Sequence, residues 1–292
     1  MSEFSRYHPA VPFLYFSFAL FFSCAHFNPV SIGISLFAAF ILNALITEKK
    51  EFLKRLTGAP VLLIMMALIN PAFNHRGVTV LTYLPSGNPL TAESVCFGLI
   101  ASAMLLSVIV WFSSFNEIMT SDKLIYIFGR LIPSLSLIFS MTLRAVPRFK
   151  EQFKRVAKAQ RCIGRGAAEK GLLKRIKSGV SIISIMITWS MENAVETADS
   201  MKARGFGTKR RTAFSVYTFT SRDKAALSAM LPLGIIAVLG GAAGAFDFSC
   251  FPYIEGERLS LFTAPFYAAE LCFLAIPIII EITERRKWNC LN

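Results

Sequence analysis

Six long apolar runs, each set off from the next by a polar or charged joint, restrict this chain to a membrane-spanning helical fold. They occupy residues 9–27, 29–46, 59–73, 92–113, 225–246 and 263–282. A helix needs roughly 20 predominantly apolar residues to cross a bilayer. Lipid offers no partner for backbone N–H and C=O groups, so a span must satisfy them internally, as a helix does. The run 59–73 is short by that measure and reaches span length by extension or tilt. A seventh run, 124–143, is interrupted by Arg130 and Pro133 and is assigned to the interface or to a re-entrant piece. The composition agrees with a membrane protein, with 54% hydrophobic residues and a mean hydropathy of +0.53. The first run has only Arg6 ahead of it, a second span directly after it and no clear small-x-small cleavage site at its end, so it is expected to be a retained helix.

The net charge of +13 is informative through its placement. With six spans and the N-terminus inside, 29 of the 31 Lys and Arg fall inside and only Arg76 and Arg258 fall outside. The short loop 47–58, with Lys49, Lys50, Lys54 and Arg55, supports this orientation independently of the long basic block that follows. A full span at 124–143 would move the 144–224 block outside, which is the reason for laying that segment in the interface. Three regions result: N-terminal transmembrane helices over 1–123, a cytoplasmic and interfacial region over 124–224, and a C-terminal transmembrane hairpin over 225–292. The fold class is all-α, a polytopic membrane protein with about six spans and a cytoplasmic pair of long amphipathic helices.

Within the basic block, Val146, Phe149, Phe153, Val156, Ala157 and Gln160 recur at helical spacing, and Arg148, Lys150, Lys154, Arg155, Lys158 and Arg161 cover the other faces. Pro147 suits a first helical turn, and Gly164 and Gly166 suit its end. The stretch 171–179 reads as a basic connector with room for a helical turn. A second helix follows, with Val180, Ile183, Ile187, Met191, Ala194, Ala198 and Met201 on one stripe and Glu192, Glu196 and Asp199 on another face. From Gly179 to Arg204 it would be roughly 39 Å long. Both helices therefore end in arginine and glycine. One such tip is adequately explained by the helix macrodipole and an ordinary glycine cap. Two tips in one cytoplasmic block favour docking, because Ala203 and Gly205 leave the Arg204 guanidinium unobstructed for a carboxylate in a groove.

Most of the basic charge has a simpler reading. Residues 144–177 hold 12 Lys and Arg against Glu151 and Glu169, a composition suited to a solvated face beside anionic lipid. Nucleic acid is not an expected partner so close to a bilayer. Cys24, Cys96, Cys162, Cys250, Cys272 and Cys290 form no C-x-x-C pair and sit mostly in apolar runs, so neither a disulfide framework nor a zinc site is expected. His8, His26 and His75 lack ligand spacing. No Walker A loop, H-E-x-x-H helix, G-x-S-x-G elbow or Asp-rich metal motif occurs. Neither catalysis nor a cofactor is expected, and ATP hydrolysis would have to come from a partner.

Several segments together carry a family resemblance. They are His8-Pro9, Ile132-Pro133, the run Leu143-Arg144-Ala145-Val146-Pro147, Ala159-Gln160, the tip Met201-Lys202-Ala203-Arg204-Gly205-Phe206, and Arg211-Thr212. In this order and spacing the chain resembles, over nearly its whole length, the transmembrane T component of energy-coupling factor transporters, the CbiQ-like group. The resemblance implies a protein that hydrolyses nothing itself. It would join two cytoplasmic ATPase subunits to a small membrane S component that captures a vitamin or metal ion. Two coupling helices would end in arginine tips seated in the ATPase subunits. On that reading Ala203, Arg204 and Gly205 form the second tip. The family's first tip usually reads Ala-Gln-x-x-Arg-Gly, whereas Ile163 stands here before Gly164, leaving Arg161 or Arg165 to supply the contact.

The competing class is a stand-alone secondary transporter or channel. Glu270, an acidic residue well inside a span, is its functional candidate, since an intramembrane carboxylate is costly and tends to serve a function. The chain shows no paired broken helices or internal repeat of the kind that builds a transporter core.

Overall fold

The computed structural model describes residues 2–74, 77–83, 89–164, 172–207, 217–256 and 262–291. The architecture is all-α: α1 (Ala10–Ala25), α2 (Pro29–Ile46), α3 (Lys49–Phe73), α4 (Ala92–Ile118), α5 (Ser121–Leu131), α6 (Pro133–Cys162), α7 (Leu172–Ala203), α8 (Ser221–Ala242) and α9 (Ala264–Leu291). A single 3-10 turn, Phe4–Arg6, precedes them. Two small antiparallel hairpins fill the connections after α3 and α8. The first pairs β1 (Val80–Tyr83) with β2 (Pro89–Thr91), Val80 opposite Thr91, and the second pairs β3 (Phe248–Ser249) with β4 (Glu255–Gly256). The chain divides into two compact units, residues 1–124 with 217–292, and residues 125–216.

In the first unit the predicted spans become α2, α3, α4, α8 and α9, five helices long and apolar enough to cross a membrane. The short run 59–73 is lengthened at its start by the charged turn from Lys49, making α3 a helix of 25 residues. The predicted first span is shorter than the others. It forms the 16-residue helix α1, about 24 Å long. Its Val11, Tyr15, Phe16, Ala19 and Phe22 are fully buried, because α4, α8 and α2 pack around it. Tyr15 stacks on Phe273 of α9 at a centroid distance of 5.2 Å and meets Trp111 of α4 edge-on at 5.9 Å. The Trp111 indole N–H donates to Ser35 Oγ at 2.9 Å, and Ser35 also bonds Ser23 at 2.7 Å and Ser107 at 3.1 Å. Such hydroxyls hold helices together where apolar side chains gain nothing by leaving lipid.

Helix starts follow local chemistry. Asn28 caps α2 by accepting the Val30 N–H at 3.0 Å, with Pro29 in the first turn. Thr220 and Asp223 form a reciprocal capping box at the start of α8. The N-terminal turn is tied to the same end of the unit. Glu3 and Phe4 donate their N–H groups to Glu281 Oε2, and His8 donates its N–H to Asp223 Oδ1 at 2.8 Å. The Lys123 ammonium donates to Ser5 Oγ at 2.9 Å and to the Ile118 carbonyl at 3.0 Å. Burial pushes its pKa below the usual lysine range.

The second unit is built around α6 and α7. The interrupted run 124–143 enters two helices: α5 ends at Leu131, and Pro133 occupies the first turn of α6. Ser136 Oγ donates to the Ile125 carbonyl at 3.2 Å, folding α5 against the start of α6. Helix α6 then continues for 30 residues through Pro147, so the helix expected to start near Pro147 is only its distal half. The expected connector at 171–179 is also helical from Leu172. Leu172, Leu173 and Ile176 continue the apolar stripe toward Gly179, and an interior glycine lowers helix stability by only about 1 kcal/mol relative to alanine. The resulting α7 has 32 residues and is about 48 Å long.

Candidate functional site: two arginine-bearing helix tips

Helices α6 and α7 pack side by side. Phe149 and Trp189 meet edge to face with centroids 5.2 Å apart. Beside this contact lies a groove of about 360 Å³, lined by Phe149, Lys150 and Phe153 on α6 and by Ile183, Met186 and Ile187 on α7. Ile138, Phe139, Val146, Val180, Met191 and Val195 are exposed, so large apolar faces of both helices remain uncovered within this unit.

The second tip is a fully formed glycine cap. The Gly205 N–H donates to the Lys202 carbonyl at 2.9 Å, and the Phe206 N–H reaches back to the Met201 carbonyl at 3.0 Å. This pair of bonds defines a Schellman motif with Gly205 at the left-handed position. Its φ is +79°, a conformation that side chains with a Cβ rarely adopt. Ala203, Arg204 and Phe206 are exposed around the turn. The cap thus stops α7 and presents the guanidinium one residue before the reversal.

The first tip is built alike at the end of α6. The Gly164 N–H donates to the Arg161 carbonyl at 3.0 Å, and Gly164 has a φ of +79°. Arg161 is exposed on the last turn. Ile163, at the cap position, is 70% exposed, and an apolar side chain offered so fully to solvent gains nothing there. Arg165 and Gly166 lie outside the described residues.

The structure places Glu270 elsewhere, in α9 of the first unit and fully buried. Ser31 Oγ donates to its Oε1 at 2.6 Å, and His26 Nδ1 stands 3.9 Å from the same atom. His26 is itself clamped between Phe22, at 5.4 Å, and Phe246, at 4.0 Å. A Cβ added at Gly241 would stand 2.9 Å from His26 Nε2. Sequence spacing gave no sign of the histidine, which closes α1 while the glutamate sits in α9. Among the described residues no group of three or more His, Cys, Asp or Glu could hold a metal ion.

Comparison with known proteins adds a family. The CbiQ model, described as cobalt transport protein, matches residues 4–214, from the N-terminal turn through the second tip. The energy-coupling factor transporter transmembrane protein of Brevibacillus brevis is 26% identical over 224 residues, covering 72% of this chain and 81% of that protein. Its namesake in Staphylococcus aureus is 25% identical over 165 residues, covering 55% of this chain and 60% of that one. The Leuconostoc gelidum protein of the same name is 26% identical over 109 residues, and the match spans 37% of this chain and 41% of its own length.

Proposed function

We infer the role of this chain from its family: it belongs to the CbiQ family of cobalt transport proteins. It is the transmembrane, or T, component of an energy-coupling factor transporter, a role without chemistry of its own. The observation that carries the mechanism is the pair of long helices, α6 and α7, each ending on an exposed tip with a glycine at φ +79°, preceded by Arg161 in the last turn of α6 and by Arg204 directly after the last residue of α7.

Each tip seats in a groove of one cytoplasmic ATPase subunit. The Arg204 guanidinium pairs there with a carboxylate, as its planar fork and unobstructed position favour. Arg161 or Arg165 serves the first tip. Both tips follow continuous helix, and a helix of 30 or 32 residues transmits displacement along its axis because each turn is hydrogen-bonded to the next. Closure of the ATPase pair therefore moves α6 and α7 together. Their uncovered apolar faces are the surfaces on which a small membrane S component rides. That component selects the vitamin or metal ion. The excess of Lys and Arg on one side supports an orientation with both termini and both tips in the cytoplasm. A stand-alone transporter built on Glu270 is not favoured, since the bonded hydroxyl of Ser31 gives the carboxylate a structural partner.

Co-purification tests the role. The tagged chain, expressed with its genomic neighbours and extracted in mild detergent, is expected to retain two ATPase subunits and a small membrane protein. Arg204→Glu is expected to insert normally while losing most of the ATPase and most uptake. Undiminished ATPase retention and uptake in that variant would refute the docking role of Arg204.

A further inference from the structure

Two cysteines that are 154 positions apart in sequence share one small cluster in the first unit. Cys250, in the segment between β3 and β4, is 3% exposed and packs with Ile32 of α2 and Ile100 of α4. Cys96, one helical turn before Ile100, packs against the same cluster. The two side chains therefore share one apolar cluster, and Cys96 adjoins the Cys250 thiol closely enough to raise its pKa. Phe97 links the cluster's rim, with centroids 5.2 Å from Phe27 and 5.5 Å from Phe251. Both cysteines are free thiols, and Cys96 is half-buried. Cys24, Cys162 and Cys272 are exposed, and none of them belongs to this cluster.

We propose that Cys96 and Cys250 are a reversible disulfide site on the outer face of the membrane domain. The positions fit that face. Cys96 sits in the second turn of α4, just after the β1–β2 hairpin, and Cys250 lies in the connection between α8 and α9. The charge distribution places both connections outside, the compartment where disulfides persist. The bond would also add a covalent tie to this packing. Helix α4 packs chiefly on α3, α2 and α1, and α9 chiefly on α8 and α2. A Cys96–Cys250 bond would join α4 directly to the α8–α9 connection, and a link closing so long a loop strongly restricts the unfolded chain.

The chemistry requires an oxidant, here a small-molecule or protein disulfide reaching the outer surface. The Cys96 thiolate attacks the oxidant's S–S bond, forming a mixed disulfide and releasing one oxidant thiolate. The Cys250 thiol loses its proton and attacks Cys96 Sγ, forming the internal bond and releasing the second thiolate. Two electrons and two protons pass from the cysteine pair to the oxidant. The order follows from access: Cys96 is partly exposed, whereas Cys250 is buried. Burial, with the adjoining Cys96, pushes the Cys250 thiol up to about 11. The closing step is therefore slow at neutral pH and is expected to accelerate about tenfold per pH unit from 7 to 9, as the thiolate fraction grows.

The test uses the full chain and diamide or glutathione disulfide as oxidant. After oxidation and denaturation, two of the six cysteines should resist PEG-maleimide, and dithiothreitol should restore both. Peptide mapping should recover a linked Cys96–Cys250 species two hydrogens lighter than the separate peptides. Cys250→Ser should abolish the link and Cys272→Ser should leave it intact. On intact cells a membrane-impermeant disulfide should give the same species. Both thiols remaining alkylatable after treatment of the purified protein would overturn the pairing. Linkage in the purified protein but none with the impermeant reagent on cells would overturn the outer placement, and neither result depends on ATPase assembly at Arg204.

Discussion

The Phe206 N–H donates to the Met201 carbonyl at 3.0 Å, a bond that crosses the end of α7 and fixes where Arg204 leaves it. The bond forms only while Gly205 holds its left-handed conformation at φ +79°. Gly205→Ala forces a Cβ into that conformation at about 1–2 kcal/mol, enough to open the turn and move the guanidinium. ATPase retention in the co-purified complex is expected to fall several-fold. The control is Gly179→Ala, within the same helix, where a Cβ meets nothing within 4 Å and helix propensity improves. Equal retention in both variants would show that the shape of the tip is immaterial.

The second prediction concerns stiffness. Phe149 and Trp189 are in edge-to-face contact at 5.2 Å, and such pairs contribute about 0.5–1.5 kcal/mol beyond buried area. A double-mutant cycle with Phe149→Leu and Trp189→Leu, read by denaturant stability or protease resistance of this region, should return a coupling in that range. Each single variant should reduce uptake more than ATPase binding, because the tips persist while the helices move less in concert. A coupling near zero would remove this contact from the transmission path.

These two regions show what the linear sequence can carry. Gly164 and Gly205 end their helices as their place after an amphipathic run requires, and Pro133 opens α6 within the run 124–143, in a first turn where its missing N–H costs nothing. The extent of α6 and α7 was not legible in the same way. The expected connector at 171–179 is helical because Leu172, Leu173 and Ile176 keep the stripe in phase, outweighing Gly179, and a local reading gave too much weight to the glycines and basic residues. Pairings across the chain were invisible for a different reason. His26 beside Glu270 and Cys96 beside Cys250 come from helices and connections remote in sequence, so no spacing rule links them. The apolar runs themselves were readable in place, with α2 matching its run at both ends and α3 starting ten residues earlier than its run, since lipid imposes its demand on each helix separately.

Close helix approach gives a third prediction. A Cβ at Gly240 of α8 would stand 2.6 Å from the ring and 2.8 Å from the Cβ of Phe266 of α9. The Phe266 Cβ cannot swing away without moving its backbone, so Gly240→Ala should destabilise the membrane unit by about 1–3 kcal/mol. Gly33→Ala, with nothing within 4 Å, should be neutral. Thermal unfolding in detergent, followed by tryptophan fluorescence, separates the two, and an unchanged Tm for Gly240→Ala would contradict the packing of α8 on α9.

Ser31 supplies the fourth. Its hydroxyl donates to fully buried Glu270 at 2.6 Å, and removing a donor from a buried acceptor costs about 1–3 kcal/mol. Ser31→Ala is therefore expected to lower Tm by several degrees. Ser17→Ala, at an exposed hydroxyl bonded only within its own helix, should stay within about 0.5 kcal/mol. If Glu270 instead worked as a transport site, Ser31→Ala would impair uptake while leaving Tm unchanged.

The first tip allows a test by gain. Ile163 is 70% exposed at the cap of α6, in the position where the family's pattern carries arginine, while Arg161 is exposed one half-turn earlier. If Arg161 makes the first contact, it does so from a displaced site, and Arg161→Ala should reduce ATPase retention several-fold. Ile163→Arg should raise retention above that of the unaltered chain, because a guanidinium then stands at the family's position with Gly164 still closing the helix. In the Ile163→Arg background, Arg161→Ala should cost much less than it does alone. Such non-additivity is the signature of two side chains competing for one carboxylate. Equal losses in both backgrounds would show that the two side chains do not compete for one carboxylate, and no loss from Arg161→Ala would assign the contact to Arg165 and leave Arg161 as a solvated cation beside the helix end.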